Sequence, residues 1–277
     1  MANNREIITS RQNKTISYLS SLQKKKAREE EKMFLFDGVK LLSEAIKNKL
    51  EIYCVVLNSE CADTVCEKLF DLYGIDIFSL DIRVLYAIPS VFERLTDERS
   101  PEGVVCAARF MENIHRSYGA DDEISITSGE KILMLESVRD PLNIGAIIRS
   151  ARAFSVDRII MSSDCADIYS AKTVRASMGN IFAMKIDTVD SITGAIRQLQ
   201  ESGRAVYAAA LDEGAKKLGC DKFEENSVVI IGNEGHGLTA EAIGAADGSV
   251  YIPMAEGVES LNAGVAAAVL MWEFFAK

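Results

Sequence analysis

Three segments of the chain combine polar side chains with glycines in patterns that suit ligand binding. They are residues 137–154, 231–238 and 252–262, and each follows a short apolar run typical of a parallel strand. Ligands of open α/β sheets gather at the carboxyl ends of such strands. We therefore expect the three segments to converge on one site.

The first segment offers an amide and a guanidinium group. Asn143 stands where a helix N-cap is expected, after a stiffening Pro141, and capping alone would account for it. Arg149 is harder to explain as structure, because Ile147 and Phe154 mark the same predicted helix as apolar. An arginine in such surroundings needs an anionic partner, and an RNA phosphate would serve.

The second segment places Asn233 and Glu234 among three glycines, Gly232, Gly235 and Gly237. Glycines permit a tight turn in which backbone groups approach a ligand closely. The spacing is neither Gly-x-Gly-x-x-Gly nor a Walker A loop, which weighs against an ATP site or a standard dinucleotide site. Taken alone, the segment could also be an ordinary loop.

The third segment leads into a predicted helix rich in small residues. Ser260 or Asn262 could cap that helix, and capping alone would explain either residue. The run AGVAAAV at 263–269 permits unusually close packing on a neighbouring element. Trp272, which follows it, is typical of a core or a dimer interface rather than a platform for stacking bases.

Two α/β units can position these segments. In the first unit, apolar runs and amphipathic stretches predict strands at 34–37, 52–57 and 104–109 and helices at 38–47 and 61–73. Residues 112–130 lose this periodicity, which predicts an interdomain linker with His115 on its surface. The expected organisation is thus a basic amino-terminal arm and small domain at 1–111, a linker at 112–130 and a second domain at 131–277.

The second unit shows further short apolar runs of the kind found in parallel sheets covered on both faces. The predicted strands are 132–136, 158–161, 182–186, 205–211, 228–232 and 250–252, and the predicted helices are 144–154, 191–202, 239–246 and 261–275. Gly203 stands where a helix commonly ends in a glycine.

Composition narrows the class of protein. The 277 residues, 48% hydrophobic and 26% charged, describe an ordinary globular chain with enough length for two domains. No stretch reaches the roughly 18 apolar residues of a membrane helix, and no signal peptide is evident, so a cytoplasmic location is expected. The six cysteines lack a Cys-x-x-Cys pair, which argues against a disulfide framework and against a structural zinc site.

Charge is distributed unevenly. The net charge of -10 argues against a protein that holds RNA by charge alone. Residues 1–32 nevertheless carry eight Lys or Arg against four Glu. This segment is either a basic arm that contacts RNA or a solvated helix face rich in lysine, and charge alone does not decide between them.

The three segments together resemble a known family. DPLNIGAIIRSARAF, IIGNEGHGL and IPMAEGVESLNAGVAAAV strongly resemble, in this order, the motifs of the SpoU (TrmH-like) branch of the SPOUT methyltransferases, over about residues 131–277. Residues 30–109, with FLFDGVKLLSEAI and TDERSPEGVVCAARF, resemble that family's small ribosomal-protein-like substrate-binding domain. Two departures are Ser155, where the family usually has glycine, and Phe36-Asp37-Gly38 in place of Val-Glu-Gly.

The resemblance implies a fold, a cofactor and an assembly. The carboxyl-terminal domain would be a parallel α/β sheet with a trefoil knot, one of the rare exceptions to unknotted topology. Two copies would form a homodimer with the active site at the subunit interface. S-adenosylmethionine would bind in the knot, and the residues that match the cofactor-binding positions are Gly232, Ile252, Leu261, Leu211, Asn233, Gly237 and Met254.

The resemblance also implies an RNA 2′-O-methyltransferase, with Arg149, Asn143, Glu234, Ser260 and Asn262 at the catalytic positions. Methyl transfer from a sulfonium to an oxygen needs alignment and no metal. Family proposals make Arg149 the base, but guanidinium groups hold their proton tightly. We therefore expect it to grip the adjacent phosphate and steady the developing alkoxide, oriented by Glu234 and Asn143.

Three classes of function remain open at this point. The first is a catalytic ribose methyltransferase, acting on ribosomal RNA in preference to transfer RNA because of the two-domain form. The second is a non-catalytic RNA-binding protein on the same scaffold. The third is a small-molecule nucleotide-binding enzyme, suggested only by the sheet and the glycine loop.

Overall fold

The computed structural model describes residues 6–220, 223–224, 226–257 and 260–276. The chain forms two compact units. The first contains the chain up to Met111 together with Asp167–Phe182, and the second contains Glu112–Ala166 and the chain from Ala183 onward. The segment Asp167–Phe182, which lies inside the expected carboxyl-terminal domain, is therefore built into the first unit. Arg5 of the expected basic arm lies outside the described residues.

The first unit has a five-stranded sheet in the order β1-β4-β3-β5-β2. Its strands are β1 (Ile7–Ile8), β2 (Met33–Asp37), β3 (Ile52–Asn58), β4 (Val84–Ala87) and β5 (Val104–Arg109). Its helices are α1 (Lys14–Ser21), α2 (Lys25–Glu31), α3 (Val39–Lys47), α4 (Ala62–Tyr73) and α5 (Pro89–Phe92), with 3-10 turns at Ile77–Ser79 and Glu93–Leu95. Strand β5 is antiparallel to β2 and β3, while β1, β4 and β3 run parallel. The strands and helices expected in this unit are confirmed.

Successive side chains of β2 point to opposite faces of the first unit's sheet, so the buried core lies on both faces. Met33 and Leu35 pack with helices α1 and α5 on one face. Phe34 and Phe36 point to the other face, where their rings lie 4.8 Å from the Tyr169 ring and 5.3 Å from the Phe182 ring, respectively. The returning segment Asp167–Phe182 thus covers one face of the sheet.

The amino-terminal segment is folded rather than extended from residue 14 onward. In α1, Ile16 and Leu19 are fully buried. Arg28 of α2 is also buried, where it pairs with Asp167 and donates to the Leu22 carbonyl at 2.8 Å. The exposed lysines 25 and 26 pair with glutamates one turn later at 3.6 and 3.7 Å. Part of the basic charge of this segment is therefore satisfied within the protein.

The second unit has an eight-stranded sheet in the order β11-β13-β10-β12-β7-β8-β9-β6, in which every neighbouring pair is parallel. Its strands are β6 (His115–Tyr118), β7 (Ile132–Leu135), β8 (Arg158–Ser162), β9 (Lys185–Val189), β10 (Val206–Ala209), β11 (Lys216–Lys217), β12 (Val228–Ile231) and β13 (Gly248–Tyr251). Its helices are α6 (Pro141–Ala153), α8 (Ile192–Glu201), α9 (Ala240–Ala245) and α10 (Ala263–Met271), which a π-helical turn extends over Trp272–Ala276. Helix α7 (Ala171–Ala176), followed by a 3-10 turn at Asn180–Ala183, lies in the returning segment. The expected parallel α/β domain is confirmed.

Two features of this unit differ from the sequence-based expectation. The predicted linker contains strand β6, which pairs with β9 at the edge of the sheet. His115 is buried there, with Nε2 3.2 Å from the Met184 carbonyl oxygen, so the expected surface position is wrong. The strand predicted at 182–186 begins only at Lys185, because the residues before it form the 3-10 turn.

A buried ion cluster lies at the amino ends of strands β7 to β9. Arg158 pairs with Asp187 at 2.5 Å and with Glu130 at 3.0 Å, and Lys185 adds a bond to Glu130 at 2.9 Å. Burial opposes ionisation of Glu130, but the hydrogen bonds from Lys185 and Arg158 outweigh it and lower the pKa of this carboxyl. Burial raises the pKa of Asp187. The cluster fixes the end of the sheet opposite the three polar segments.

The described part of the chain contains no helix long and apolar enough to cross a membrane.

Candidate functional site

The three polar segments meet at the carboxyl ends of strands β7, β12 and β13. The second and third segments line a cleft of about 460 Å³, which also reaches the end of β10. The first segment is joined to the second by hydrogen bonds from Asn143 to Glu234 and from Asn233 to the Ser137 carbonyl. The lining residues are Ala209, Ala210, Leu211, Ile231, Gly232, Asn233, Glu234, Gly235, Gly237, Val250, Tyr251, Ile252, Met254, Ser260, Leu261, Ala263, Ala266 and Leu270. All seven residues expected to bind the cofactor are among them. Whether each of the seven contacts the cofactor stays a prediction.

The loop after β12 owes its shape to Gly232 and Asn233. A Cβ atom on Gly232 would lie 2.4 to 2.5 Å from backbone atoms of Gly237 and Leu238, so only glycine fits at this position. The Asn233 side chain accepts from the Gly235 backbone N–H at 2.8 Å and donates to the Ser137 carbonyl at 2.8 Å. Asn233 therefore folds its own loop and attaches it to the first segment.

Glu136 attaches the far end of the same loop. Its buried carboxylate accepts from the backbone N–H and from the hydroxyl of Thr239, both at 2.8 Å. Its backbone N–H donates to the Ile231 carbonyl at 2.8 Å. Sequence reasoning missed Glu136, although a carboxylate that ends an apolar strand needs a buried partner. The glycine loop is thus held at both ends by residues 136 and 137.

Asp164 holds the first segment from its other side. It accepts from the Ser137 hydroxyl at 2.6 Å and from Arg139 at 3.0 Å. Burial would raise the pKa of Asp164, but these bonds and one from Ser162 outweigh it and lower the pKa. The first segment is therefore rigid where it leaves β7.

Asn143 is not the helix cap that the sequence suggested. Asp140 caps α6, accepting from the Leu142 N–H at 2.9 Å, and Pro141 occupies the first helical position. Asn143 then lies in the first turn with its amide available for other partners. Asn262, by contrast, caps α10, accepting from the Gly264 N–H at 3.0 Å.

Three predicted catalytic side chains form one hydrogen-bonded relay. Asn262 donates to the Asn143 amide oxygen at 2.9 Å, and Asn143 donates to a Glu234 carboxylate oxygen at 2.5 Å. The direction of both hydrogen bonds is fixed. The Asn262 oxygen already accepts from backbone N–H groups of α10, so its NH₂ group donates to Asn143, and the ionised Glu234 can only accept. Asn143 is buried, whereas Glu234 and Asn262 are exposed, and the Glu234 oxygen Oε2 makes no bond to any described residue.

Arg149 and Ser260 are not part of this relay. Ser260 is exposed and lines the cleft. Arg149 is exposed on α6, six residues after Asn143, and has no hydrogen bond or ion pair to any described residue. Six residues rotate a helix by about 120° and advance it by about 9 Å, so the two side chains leave α6 in different directions. The chain by itself does not bring Arg149 to the cleft.

An exposed apolar face adjoins the cleft. On α10 and its extension, Val265, Val269 and Trp272 are 51%, 37% and 52% exposed, and Leu142 on α6 is 56% exposed. Val265, Val269 and Trp272 line a shallow groove together with Ala146 and Ser150 of α6, and the groove also includes Phe154 and the relay residue Asn262. This face between α6 and α10 is continuous with the site.

Comparison with known proteins identifies the family. Residues 130–272 match the SpoU rRNA Methylase family, and residues 13–106 match an MRM3-like substrate binding domain. The chain belongs to the SpoU rRNA methylase family. The expectation of an S-adenosylmethionine-dependent RNA 2′-O-methyltransferase is confirmed.

Three relatives illustrate the range of similarity within the SpoU family. The chain is 27% identical to the 23S rRNA (guanosine(2553)-2'-O)-methyltransferase RlmP of Bacillus subtilis (strain 168), over 96% of this chain and 97% of that protein. It is 35% identical to the 23S rRNA (uridine(2479)-2'-O)-methyltransferase of Streptomyces viridochromogenes, over 56% of each. The AdoMet-bound rRNA methyltransferase of Sinorhizobium meliloti matches with a TM-score of 0.79 at 28% identity, over 98% of this chain and 97% of that one.

The cleft of this SpoU-family chain fits the family's cofactor. Its volume lies within the range of about 300 to 1,000 Å³ usual for small-molecule sites. Apolar side chains such as Leu261 and Leu270 line it, Leu211 and Met254 at its edge are 81% and 43% exposed, and the Glu234 carboxylate is also exposed. Apolar walls suit an adenine ring, and a carboxylate suits a cationic sulfonium. The described residues contain no cluster of His, Cys, Asp or Glu able to hold a metal ion.

Proposed function

We propose that this SpoU-family enzyme methylates the ribose 2′-hydroxyl of ribosomal RNA as a homodimer in the cytoplasm. The observation that carries the proposal is the relay Asn262–Asn143–Glu234 beside the cleft, with Arg149 unpaired among the described residues on α6, the helix that also carries Asn143. The relay provides an oriented carboxylate at the mouth of a cofactor-sized cleft. The Arg149 guanidinium, which the family resemblance places at the catalytic site, does not line the cleft of its own chain.

Ribosomal RNA is favoured over transfer RNA by the full-length relatives. The Bacillus subtilis and Sinorhizobium meliloti proteins, which match nearly the whole chain, are both named as rRNA methyltransferases. The match of residues 13–106 to a substrate binding domain supports a structured RNA as the target. Double-helical RNA is recognised mainly by its shape and phosphates, which suits a separate domain without a base-reading motif.

Each residue has a role that follows from its position. Bound S-adenosylmethionine supplies a methyl group on a positively charged sulfonium. The glycine loop at 232–237 presents backbone groups to the cleft, Ser260 also lines it, and Asn262 holds Asn143. Asn143 holds Glu234 in a fixed orientation, so that its exposed oxygen Oε2 can bind a guanidinium. Arg149 of a second copy grips the phosphate beside the target ribose and stabilises charge that develops on the 2′-oxygen.

A second copy of this chain is the occupant that we propose for the face between α6 and α10. The face is apolar, it includes Asn262 of the relay, and Arg149 is unpaired on the same helix. In a symmetric dimer the same patch meets itself, so each copy can offer Arg149 to the cleft of the other. One contact would then bury the exposed Trp272 and complete both sites.

Tritium transfer tests this function. The purified protein is incubated with methyl-labelled S-adenosylmethionine and with deproteinised ribosomal or transfer RNA. We expect label in ribosomal RNA that resists alkaline cleavage at the modified nucleotide, and its loss in Arg149→Ala with cofactor binding unchanged. The matched control is Arg152→Ala, an exposed arginine one turn later on α6. Label only in transfer RNA, or equal loss in both variants, would contradict the proposal.

A further inference from the structure

The amino-terminal part of the first unit carries an unusual concentration of positive charge. Residues 7–28 contain six Lys or Arg and no Asp or Glu, in a chain whose net charge is -10. Arg28 is turned inward, and the lysines at 25 and 26 pair with glutamates. Arg11, Lys14 and Lys24 remain exposed and form no ion pair with any described residue.

Arg11 and Arg94, which is distant in sequence, are both held by backbone carbonyl groups, and Arg94 binds the carbonyl of Arg11 itself. Arg11 donates from Nε to the Ser90 carbonyl at 3.0 Å, and Arg94 donates from Nη1 to the Arg11 carbonyl. The Arg94 carbonyl accepts in turn from Ser20 at 3.2 Å and from Gln23 at 2.8 Å. These bonds join the start and end of α1 to the turn after α5, so both guanidinium groups are fixed in place.

The bonding leaves both charges uncompensated. A carbonyl oxygen satisfies an N–H group but brings no negative charge, and neither guanidinium forms an ion pair with any described residue. Arginine presents several N–H groups in a planar fork, so each side chain keeps donors for a further acceptor. Two oriented, unpaired guanidinium groups suit the phosphates of a nucleic-acid backbone.

We infer that Arg11 and Arg94 form a phosphate clamp on the first unit, which contacts the RNA backbone. The inference rests on the proposed function for the identity of the nucleic acid. Lys14, at the start of α1, and Lys24, three residues after its end, are exposed and add positive charge to the same segment. The clamp positions the RNA and carries no sequence information, because phosphates are the same at every nucleotide.

Salt-dependent binding to deproteinised ribosomal RNA tests the clamp. Each lost phosphate contact lowers the magnitude of the slope of log affinity against log salt by about 0.7 to 0.9, so Arg11→Gln/Arg94→Gln is expected to flatten it by about 1.4 to 1.8. Affinity at about 0.1 M salt is expected to fall at least about 10-fold. Binding of S-adenosylmethionine, measured by calorimetry, is expected to stay unchanged because the cleft lies in the second unit.

A second variant covers the case in which the double variant fails to fold. Lys14→Glu removes no hydrogen bond and places an acidic residue in the first turn of α1, which favours the helix. It is expected to weaken RNA binding as well. The matched control is Lys68→Glu, an exposed lysine on α4 with the same change of charge.

Unchanged affinity and salt slope in the folded variants would overturn the clamp. So would an equal loss in Lys68→Glu, which would show a general charge effect, or a parallel loss of cofactor binding. The proposed function is judged separately, by methyl incorporation with the unaltered protein. If that protein transfers no methyl group but its RNA affinity and salt slope still fall in Arg11→Gln/Arg94→Gln, the clamp stands and the proposed function fails.

Discussion

Mixing two inactive variants reveals whether Arg149 acts across a subunit interface. Arg149→Ala removes the guanidinium, and Glu234→Ala removes the carboxylate at the end of the relay. Each variant alone is expected to be inactive. If the two residues of one site come from different copies, a mixed dimer contains one site with both residues and one site with neither.

The expected recovery of activity follows from placing Arg149 and Glu234 of one site on different copies. Arg149 leaves α6 about 9 Å along the axis and about 120° around it from Asn143, so it cannot share the contact that Asn143 makes with Glu234. Random exchange at equal concentrations makes half of the dimers mixed, and one site in two is complete in those. Activity is therefore expected to recover to about a quarter of that of the unaltered protein.

The assay is methyl transfer to ribosomal RNA after subunit exchange. The variants are mixed, unfolded in urea and refolded together, or co-expressed with two different affinity tags. Refolded samples of each variant alone provide the baseline, and Arg152→Ala mixed with Glu234→Ala measures the ordinary effect of dilution. If the mixture of Arg149→Ala and Glu234→Ala stays at the baseline, both residues act within one chain and the dimer argument is refuted.

Three further predictions concern single positions. Gly232→Ala should weaken S-adenosylmethionine binding by at least 10-fold, about 1.4 kcal/mol, because the new Cβ atom would lie 2.4 Å from the Gly237 backbone. Calorimetry measures this loss. The control is Gly235→Ala, in which the nearest atom to the new Cβ is 3.4 Å away. Ser155→Gly should raise the unfolding free energy of the protein by about 0.5 kcal/mol, because Ser155 has φ +58° and this left-handed region disfavours residues with a Cβ atom. A urea midpoint lower than that of the unaltered protein would disprove this. Glu130→Gln should cost about 2 kcal/mol at neutral pH by weakening the bonds to Arg158 and Lys185. The pKa of Glu130 is lower in the folded protein than in the unfolded chain, so its ionised form stabilises the fold at pH values above the ordinary glutamate pKa. This stabilisation is lost as the pH falls through the pKa of the folded state. The unfolding free energy of Glu130→Gln should therefore decline less than that of the unaltered protein between about pH 5 and 3.

Strands with apolar residues on both faces could be predicted from the sequence, whereas polar edge strands could not. The predicted strand 104–109 matches β5 in both bounds, because a buried apolar run at 104–108 ends at the exposed Arg109. Strand β6, His115–Tyr118, falls in the predicted linker because it lies at a sheet edge, where two of its four residues are exposed. Residues at a sheet edge need not be apolar, so composition gives no signal there.

The error at Asn143 had a signal that could have prevented it. Asp140 and Asn143 are both good capping residues, and Pro141 decides between them, because proline is favoured at the first helical position. With Asp140 as the cap, Asn143 must lie inside the helix. A buried amide there needs partners of its own, which points to the relay with Glu234 and Asn262.

The clamp formed by Arg11 and Arg94 could not be found from the sequence, because 82 residues separate the two arginines. Sequence charge marked residues 1–32 as basic, but it could not say that Arg28 is buried or that two lysines are paired with glutamates. Which acidic residue pairs with a given Lys or Arg depends on tertiary contacts, such as the one between Arg28 and Asp167. The basic residues that matter are those left unpaired after folding.

The relay explains why two of its members are asparagines. An amide both accepts and donates, so Asn262 can cap α10 with its oxygen and still donate to Asn143, which in turn donates to Glu234. A carboxylate at either position would have no hydrogen to pass on and would repel Glu234. The chain of amides therefore fixes Glu234 without neutralising it, which leaves one negative charge at the cleft. Arg149 is exposed without an ion pair among the described residues, so the dimer contact that we propose would bring a positive charge to the Glu234 carboxylate.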